Sequence, residues 1–380
     1  MYCRVALTQC TSYHPQEVRA AVDRAVAAAG GWPPLSSASR VVVKPNLLMA
    51  TPPARAVTTH PQVVAAVVRS LQEAGARVMI ADCPGGPFSR SALERLYRVT
   101  GMLEVAEATG AQLNFDTGSV ELPLPDGLVI RSLTVARVLA EADLVVGVSK
   151  LKTHGLTRLT AAVKLMFGAI PGLKKAEYHL KMPAVGDFSR LLLDVARAIR
   201  PGMSVVDGVV GMDGPGPSRG SPRPLGVIAA ARDPYALDWA LARWLGVDES
   251  TVPTVSASIA AGLLDPHQVE LVEVSPRPVR PTDFRIPTGR PTAIPGWHRL
   301  PGPVRARLDA LLRPRPLFDA RLCTGCGVCV HNCPPGALRL DEGIPTVNLQ
   351  ECIRCFCCEE LCPQGAARIH QPWLMRLMFR

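Results

Sequence analysis

The chain predicts an α/β fold: a body built on a largely parallel sheet, followed by a small α+β module at its carboxyl end. Three observations carry this. Over residues 1–275, short β-branched runs alternate with helix-length amphipathic stretches, the pattern of parallel strands joined by crossover helices. A proline- and arginine-rich linker, residues 276–317, interrupts that alternation. Beyond it, residues 318–370 carry two copies of one cysteine spacing, C-x2-C-x2-C-x3-C-P.

In chain order the expected strands are RVALTQ, RVVVKPN, RVMIAD, DLVVGVSK, MSVVDG and PLGVIAA. Helices fit Pro15 to Ala29, Pro61 to Ala74, Ser91 to Thr100, Leu156 to Phe167, Val185 to Ile199 and Pro234 to Leu245. The last is the clearest, with an apolar strand, a turn at Asp233-Pro234 and an amphipathic run ended by Gly246. The linker holds ten prolines in 42 residues, which excludes a long helix or an inner strand, although VRARLDALL from Val304 fits one short helix. The tail, residues 371–380, sets Trp373, Leu374, Leu377, Met378 and Phe379 on an amphipathic turn or two, suited to packing on the body or docking elsewhere.

A length of 380 residues with 48% hydrophobic content supports two to three domains with a real core. Neither MYCRVALTQC nor any later stretch reads as a secretory signal or a membrane span. The expectation is a cytoplasmic protein with no integral membrane segment. The net charge is +10, but the linker alone, nine arginines against Asp283 and Asp309, supplies +7 of it. Residues 318–370 carry four arginines against six acids. A basic linker beside an acidic module attracts its own neighbour more simply than it attracts nucleic acid, which is not an expected partner.

Nine of the twelve cysteines lie in CTGCGVCVHNCP and CIRCFCCEELCP, eight of them at the C-x2-C-x2-C-x3-C-P positions. A 4Fe-4S cubane needs four converging thiolates; a C-x2-C-x2-C turn supplies three, and the fourth comes from the other motif. This assigns Cys323, Cys326, Cys329 and Cys362 to one cluster, and Cys352, Cys355, Cys358 and Cys333 to a second. Pro334 and Pro363 then turn the chain away. The module resembles a bacterial dicluster ferredoxin. A disulfide framework does not suit a long chain without a signal, and structural zinc uses simpler pairings. Cys357 is a spare thiol, packed near a cluster or exposed. Cys3, Cys10 and Cys83 have no ligand spacing and read as core thiols.

Several body strands end on polar residues: Lys44 with Asn46, Asp82 before CPGG, Lys150, and Asp207 before GVVG. Carboxyl ends of strands line the crevice of open α/β sheets, so Lys44, Asn46, Asp82, Asp207 and Asp213 are candidate substrate-binding residues. Lysine usage points the same way. The chain has 35 arginines but 7 lysines, and six of these, Lys150, Lys152, Lys164, Lys174, Lys175 and Lys181, fall between residues 150 and 181. Such a segment calls for compact ammonium groups whose pKa can shift. His154 and His179 share it, with K-L-K-T-H read as a turn after a strand; each suits acid–base work or a hydrogen-bonded, half-buried place. Lys164, in an apolar helix, either snorkels or points into a cavity. The candidate catalytic residues are therefore Lys150, Lys152, His154, Lys164 and His179. The glycine-rich loops at 83–89 and 207–224 fit neither the dinucleotide nor the P-loop pattern; the second, with Asp213 and Arg219, suits a lid.

VVVKPNLL, THPQVVAAVV, ADCPGG, SKLKTHGLTRLTAAVKLMFGAIPG with the following His179, and VVDGVVGMDGPGP through ARDPYALDWALARWLG resemble the domain of unknown function 362, over about residues 3–275. The resemblance implies an α/β body and, in similar members, a ferredoxin module at the carboxyl end. It implies architecture rather than activity. Met166 and Phe167 stand where the family pattern has Asn after Lys164, so the start of that turn lacks a polar group.

The leading expectation is an iron–sulfur oxidoreductase in which a fused two-cluster ferredoxin passes electrons to a small anionic or carbonyl substrate in the body. Two others stay open: a ferredoxin-type carrier or subunit docking on a separate enzyme, and a non-redox enzyme with structural or regulatory clusters. A small-molecule substrate and a redox partner protein are the expected partners.

Overall fold

The computed structural model describes residues 2–172, 174–287, 301, 314–370 and 372. The expected helix from Val304 and the tail residues Trp373, Leu374, Leu377, Met378 and Phe379 lie outside the described residues.

The strands of the body are β1 (Cys3–Gln9), β2 (Arg40–Pro45), β3 (Arg77–Ile80), β4 (Gln112–Leu113), β5 (Ser119–Pro123), β6 (Ser132–Ala136), β7 (Leu144–His154), β8 (Arg158–Thr160), β9 (Met203–Asp213), β10 (Ser221–Ala231) and β11 (Val269–Val274). β5 and β6 form a separate antiparallel hairpin. The other nine make one sheet in the order β11-β1-β10-β9-β7-β2-β3-β4, with β8 paired on β7. From β9 through β4 every neighbour is parallel. β10 runs antiparallel to both β9 and β1, while β11 is parallel to β1. The sheet is thus mostly parallel, as the alternation of runs predicts.

Its helices are α1 (Pro15–Ala28), α2 (Pro61–Glu73), α3 (Arg90–Val99), α4 (Met102–Thr109), α5 (Arg137–Ala140), α6 (Ala162–Leu165), α7 (Lys174–Lys181), α8 (Val185–Ile199), α9 (Pro234–Trp244) and α10 (Pro253–Ala260). α1 and α2 each begin on a proline at the first turn, where its missing N–H goes unmissed. Val18 and Val22 of α1 with Val64, Val67 and Leu71 of α2 pack on Val43, Val146 and Val205 of the sheet. Phe188, Leu191 and Leu192 of α8 pack with Val42 and Val145 in a second core, and Leu237 and Leu241 of α9 cover Leu7 and Ala229 in a third. Asp233 caps α9, its carboxylate accepting from the backbone N–H of Tyr235 (2.7 Å) and Ala236 (3.2 Å).

Three local expectations are corrected. The stretch Leu156 to Phe167 is not one helix but β8, the short α6 and a tight turn over Met166–Ala169. Arg158 holds a left-handed φ of 62° there, and Asp238 of α9 restarts the helix by accepting from the N–H groups of Ala162 (2.6 Å) and Val163 (3.3 Å). A cap that arrives from 76 residues away leaves no local signal. K-L-K-T-H is strand rather than turn, because β7 continues to His154. The glycine-rich run from Asp207 is likewise strand as far as Asp213, and the loop of the β9–β10 hairpin is confined to 214–220.

The C-terminal part comprises β12 (Arg315–Phe318), α11 (Val328–His331), β13 (Leu338–Asp341), β14 (Ile344–Val347), α12 (Cys357–Glu360) and β15 (Ala367–His370). β12 pairs with β15 and β13 with β14, both antiparallel. The two cysteine motifs fold alike. α11 follows Gly327 (φ 71°) and α12 follows Phe356 (φ 62°), at equivalent places in the repeat; Gly325 (φ 66°) and Arg354 (φ 58°) match in the same way. Where the first motif uses glycine for left-handed backbone, the second forces it on side-chain-bearing residues.

Candidate functional site

A cleft opens where the carboxyl ends of β2, β3 and β7 meet α6, α7 and the cysteine-rich segment 357–361, with an empty volume of about 790 Å³ counting its mouth. Lys44, Asn46, Asp82, Lys152, His154, Lys164 and His179 all line it, so seven of the ten body residues expected from sequence converge. Lys44 Nζ donates to Asp82 Oδ1 at 2.5 Å, and Asp82 Oδ2 accepts from the N–H of Leu47 (2.8 Å). Asn46 Nδ2 (2.8 Å) and Lys152 Nζ (2.7 Å) both donate to the Val57 carbonyl. Burial pulls the Lys152 ammonium down to about 7, Lys164 adding to the effect and Glu360 opposing it.

His154 Nδ1 accepts from the N–H groups of Leu156 (3.0 Å) and Thr157 (3.3 Å). The neutral ring therefore carries its proton on Nε2, which faces Glu360 Oε2 at 3.7 Å. Lys164 Nζ approaches the other oxygen of Glu360 at 3.9 Å and lies 5.8 Å from the Phe167 ring centroid. Of its two expected dispositions, Lys164 takes the cavity. His179 stacks on Phe188 (4.3 Å between centroids) and meets Phe167 edge-on; burial pulls it down to about 4, so it is neutral at pH 7. Phe167 forms apolar wall.

Lys150, Asp207 and Asp213 do not reach the cleft. Lys150 Nζ donates to Asp207 Oδ2 (2.5 Å), the Tyr13 hydroxyl (3.0 Å) and the Val210 carbonyl (3.1 Å). Asp207 also accepts from Tyr13 (2.9 Å) and the His60 N–H (2.9 Å), and the His60 ring stacks on Tyr13. The β7–β9 ladder breaks between Lys150, opposite Asp207, and Lys152, opposite Met212, which sends the two lysines to different compartments. Asp213 is tied to Arg285 (2.7 Å). Arg219, expected in a lid, instead pairs with Glu359 of α12 (3.1 Å): the hairpin tip docks the C-terminal part, and Pro217 completes the cleft wall.

Sequence reasoning missed four contributors. Lys175 Nζ donates to the carbonyls of Cys83 (2.6 Å) and Pro84 (3.0 Å), and burial pulls it down to about 8. Thr160 lines the cleft from β8, and Cys357 and Glu360 from α12. For Glu360 burial acts upward, but Lys164 and His154 hold it well below the usual carboxylate range. The lysine cluster was the one signal pointing to Lys175; nothing in a cysteine spacing points to Glu360.

In the cysteine-rich part, thiols of the two motifs lie near one another. Cys323, Cys326, Cys329 and Cys362 line one small cavity, and Cys362 Sγ accepts from the Ala366 N–H at 3.2 Å. Cys333 and Cys358 each lie within electrostatic reach of Cys352 and Cys355. Four thiols converging from both motifs, with a backbone donor on one sulfur, are the donor set a cubane requires.

Fold and site together define an α/β protein whose polar cleft is closed by a second, cysteine-rich part. Residues 315–363 match the 4Fe-4S dicluster domain, so that part is an iron–sulfur, ferredoxin-like domain. Residues 41–243 match the domain of unknown function DUF362, and the chain belongs to this family. It is 32% identical over 298 residues to the thylakoid-associated protein sll1697 of Synechocystis sp., covering 74% of this chain and 91% of that one. The solved lactate racemase apoprotein of Thermoanaerobacterium thermosaccharolyticum aligns with a TM-score of 0.35 at 15% identity, over 60% of this chain and 54% of that chain. Among the described residues no helix is long and apolar enough to cross a membrane.

Proposed function

We propose that this protein is a cytoplasmic iron–sulfur oxidoreductase that reduces a small anionic or carbonyl-bearing substrate held in the cleft. One observation supports this above the others: Lys44, Lys152, Lys164, Lys175, His154 and His179 of the body share a single cavity with Cys357 and Glu360, which flank Cys358 in the second cysteine motif. In this reading Cys323, Cys326, Cys329 and Cys362 hold one 4Fe-4S cluster, and Cys352, Cys355, Cys358 and Cys333 hold the other. Such clusters, when bound, supply electrons singly.

The chain's own residues supply position and protons. Lys152, Lys164 and Lys175 attract and orient the anionic end of the substrate. Reduction of a carbonyl consumes two electrons, drawn from an external reduced redox protein, and two protons; the Lys152 and Lys164 ammonium groups that line the cavity are their donors, while the neutral His154 ring offers its Nε2–H as a hydrogen bond to the oxygen being reduced. Neutral His179 with Phe167 makes an apolar wall that limits water. Lys150 and Asp207 act at a distance, fixing His60, where the connection from β2 ends and α2 begins.

Anaerobically purified protein should carry about eight irons and about eight sulfides per chain. The dithionite-reduced protein, mixed with fractionated anionic metabolites, should lose its reduced-cluster electron paramagnetic resonance with one fraction and yield a reduced product. If the signal survives every fraction while a redox protein discharges it rapidly, the carrier reading replaces this one. Turnover that persists after cluster loss would make the clusters structural.

A further inference from the structure

The cleft holds more positive charge than its own acids offset. Lys44, Lys152, Lys164 and Lys175 line it, against Asp82 and Glu360 as the lining carboxylates among the described residues. Asp82 is engaged by Lys44, and Glu360 lies between His154 and Lys164. Lys152 and Lys175 are left with backbone carbonyls as their hydrogen-bond acceptors among the described residues. An ammonium has three N–H donors, so Lys152 keeps two unspent and Lys175 one. A buried ammonium without a counter-ion is strongly disfavoured, which is why burial draws both groups down, to about 7 and about 8.

A second, independent feature points to a ligand. Thr160 stands opposite Lys152 in the β7–β8 ladder and lines the same cavity. Its Oγ1 is buried with no hydrogen-bond partner among the described residues. A buried hydroxyl left unsatisfied is uncommon. The two points of positive charge are also anchored separately: Lys152 on the Val57 carbonyl between β2 and α2, Lys175 on carbonyls of residues 83 and 84 after β3. One small charged group sitting on a single lysine would leave the other uncompensated.

We propose that the cleft takes a small two-ended dianion, a dicarboxylate, with one carboxylate on Lys152 Nζ and Thr160 Oγ1 and the other on Lys175 Nζ. This rests on the reading of the cleft as the substrate site and adds its ligand class. Two carboxylates neutralise the two unpaired ammonium groups, satisfy the orphan hydroxyl and leave Glu360 in place.

The test is titration calorimetry on oxidised, cluster-loaded protein, which requires no electron transfer and so fails or succeeds independently of the redox reading. Succinate should bind ~10–100-fold more tightly than monomethyl succinate, the factor expected of one charge-assisted contact. Thr160→Val, which removes the hydroxyl at nearly constant volume, should weaken succinate binding ~10-fold without lowering the melting temperature. Lys175→Met should bring succinate down to the affinity of its monoester. Equal affinity for succinate and monomethyl succinate, or no binding of either, overturns the proposal. Tighter binding of methyl phosphate than of succinate also overturns it, replacing the two-ended ligand by a single phosphate.

Discussion

Lys152 shows most directly what single residues contribute to this cleft. Its ammonium is held at about 7 in the folded protein against 10.5 for a free lysine, chiefly by burial. Between those values the unfolded chain binds a proton that the folded chain does not, so stability rises with pH across roughly 7 to 10.5. Lys175, at about 8, acts with the same sign over a narrower window. Anaerobic urea unfolding should therefore show stability climbing from pH 7.5 to 9.5, by at most about 1.4 kcal/mol per pH unit for each group. Lys152→Met should flatten the climb and stabilise the protein at pH 7; an unchanged slope would mean that the ammonium is paired. Gly168 tests the neighbouring ion pair. A Cβ there would lie 2.7 Å from Asp82 Oδ1 and closer still to Lys44 Nζ. Gly168→Ala should destabilise by on the order of 3 kcal/mol, as expected when a buried pair is forced apart. Gly186→Ala in α8, with nothing within 4 Å, should leave the urea midpoint unchanged or slightly raised.

The elements divide into those set by local pattern and those set from afar. α1, α2, α8 and α9 follow from amphipathic spacing and from proline or Asp at their starts, and they stand within a residue or two of where the sequence puts them. The run from Leu156 to Phe167 does not. It has an apolar helical period, yet the left-handed Arg158 and the carboxylate of Asp238 divide it into strand, helix and turn. That same cap places Lys164 in the cleft. Asp238→Ala should cost about 1–2 kcal/mol in urea stability, the usual price of a lost N-cap, and Asp238→Asn, which keeps an acceptor, should cost less. Equal losses would show that the charge, not the capping oxygen, is what α6 requires. Strand ends carried the site signal with mixed success for an equally physical reason. Lys44, Asp82 and Lys152 open onto the cleft, whereas Lys150 and Asp207, alike in sequence terms, are sealed by Tyr13 and the backbone of His60.

At the level of the whole molecule, the cysteine spacing and the alternation of runs made both parts legible, but not their junction. Glu360, Cys357 and Leu361 look like filler between ligands, and the close approach of the two parts gives them their place. Leu361 packs so tightly on Gly85 that a Cβ there would overlap its side chain, and Arg219 holds Glu359 beside it. Gly85→Val should wedge the parts apart. Iron content should stay the same, while amide exchange in residues 357–361 accelerates at least ~10-fold; unchanged protection would show that the contact is dispensable. The decisive measurement compares wild type with Lys152→Met at equal iron content, following anaerobic reoxidation of the reduced clusters by the substrate fraction and, separately, by ferricyanide. If cleft and clusters form one site, the variant is slowed at least ~100-fold with substrate, a loss of about 2.7 kcal/mol in transition-state stabilisation, and not at all with ferricyanide. Equal rates with both oxidants would contradict a shared site and leave the cleft without a part in electron transfer.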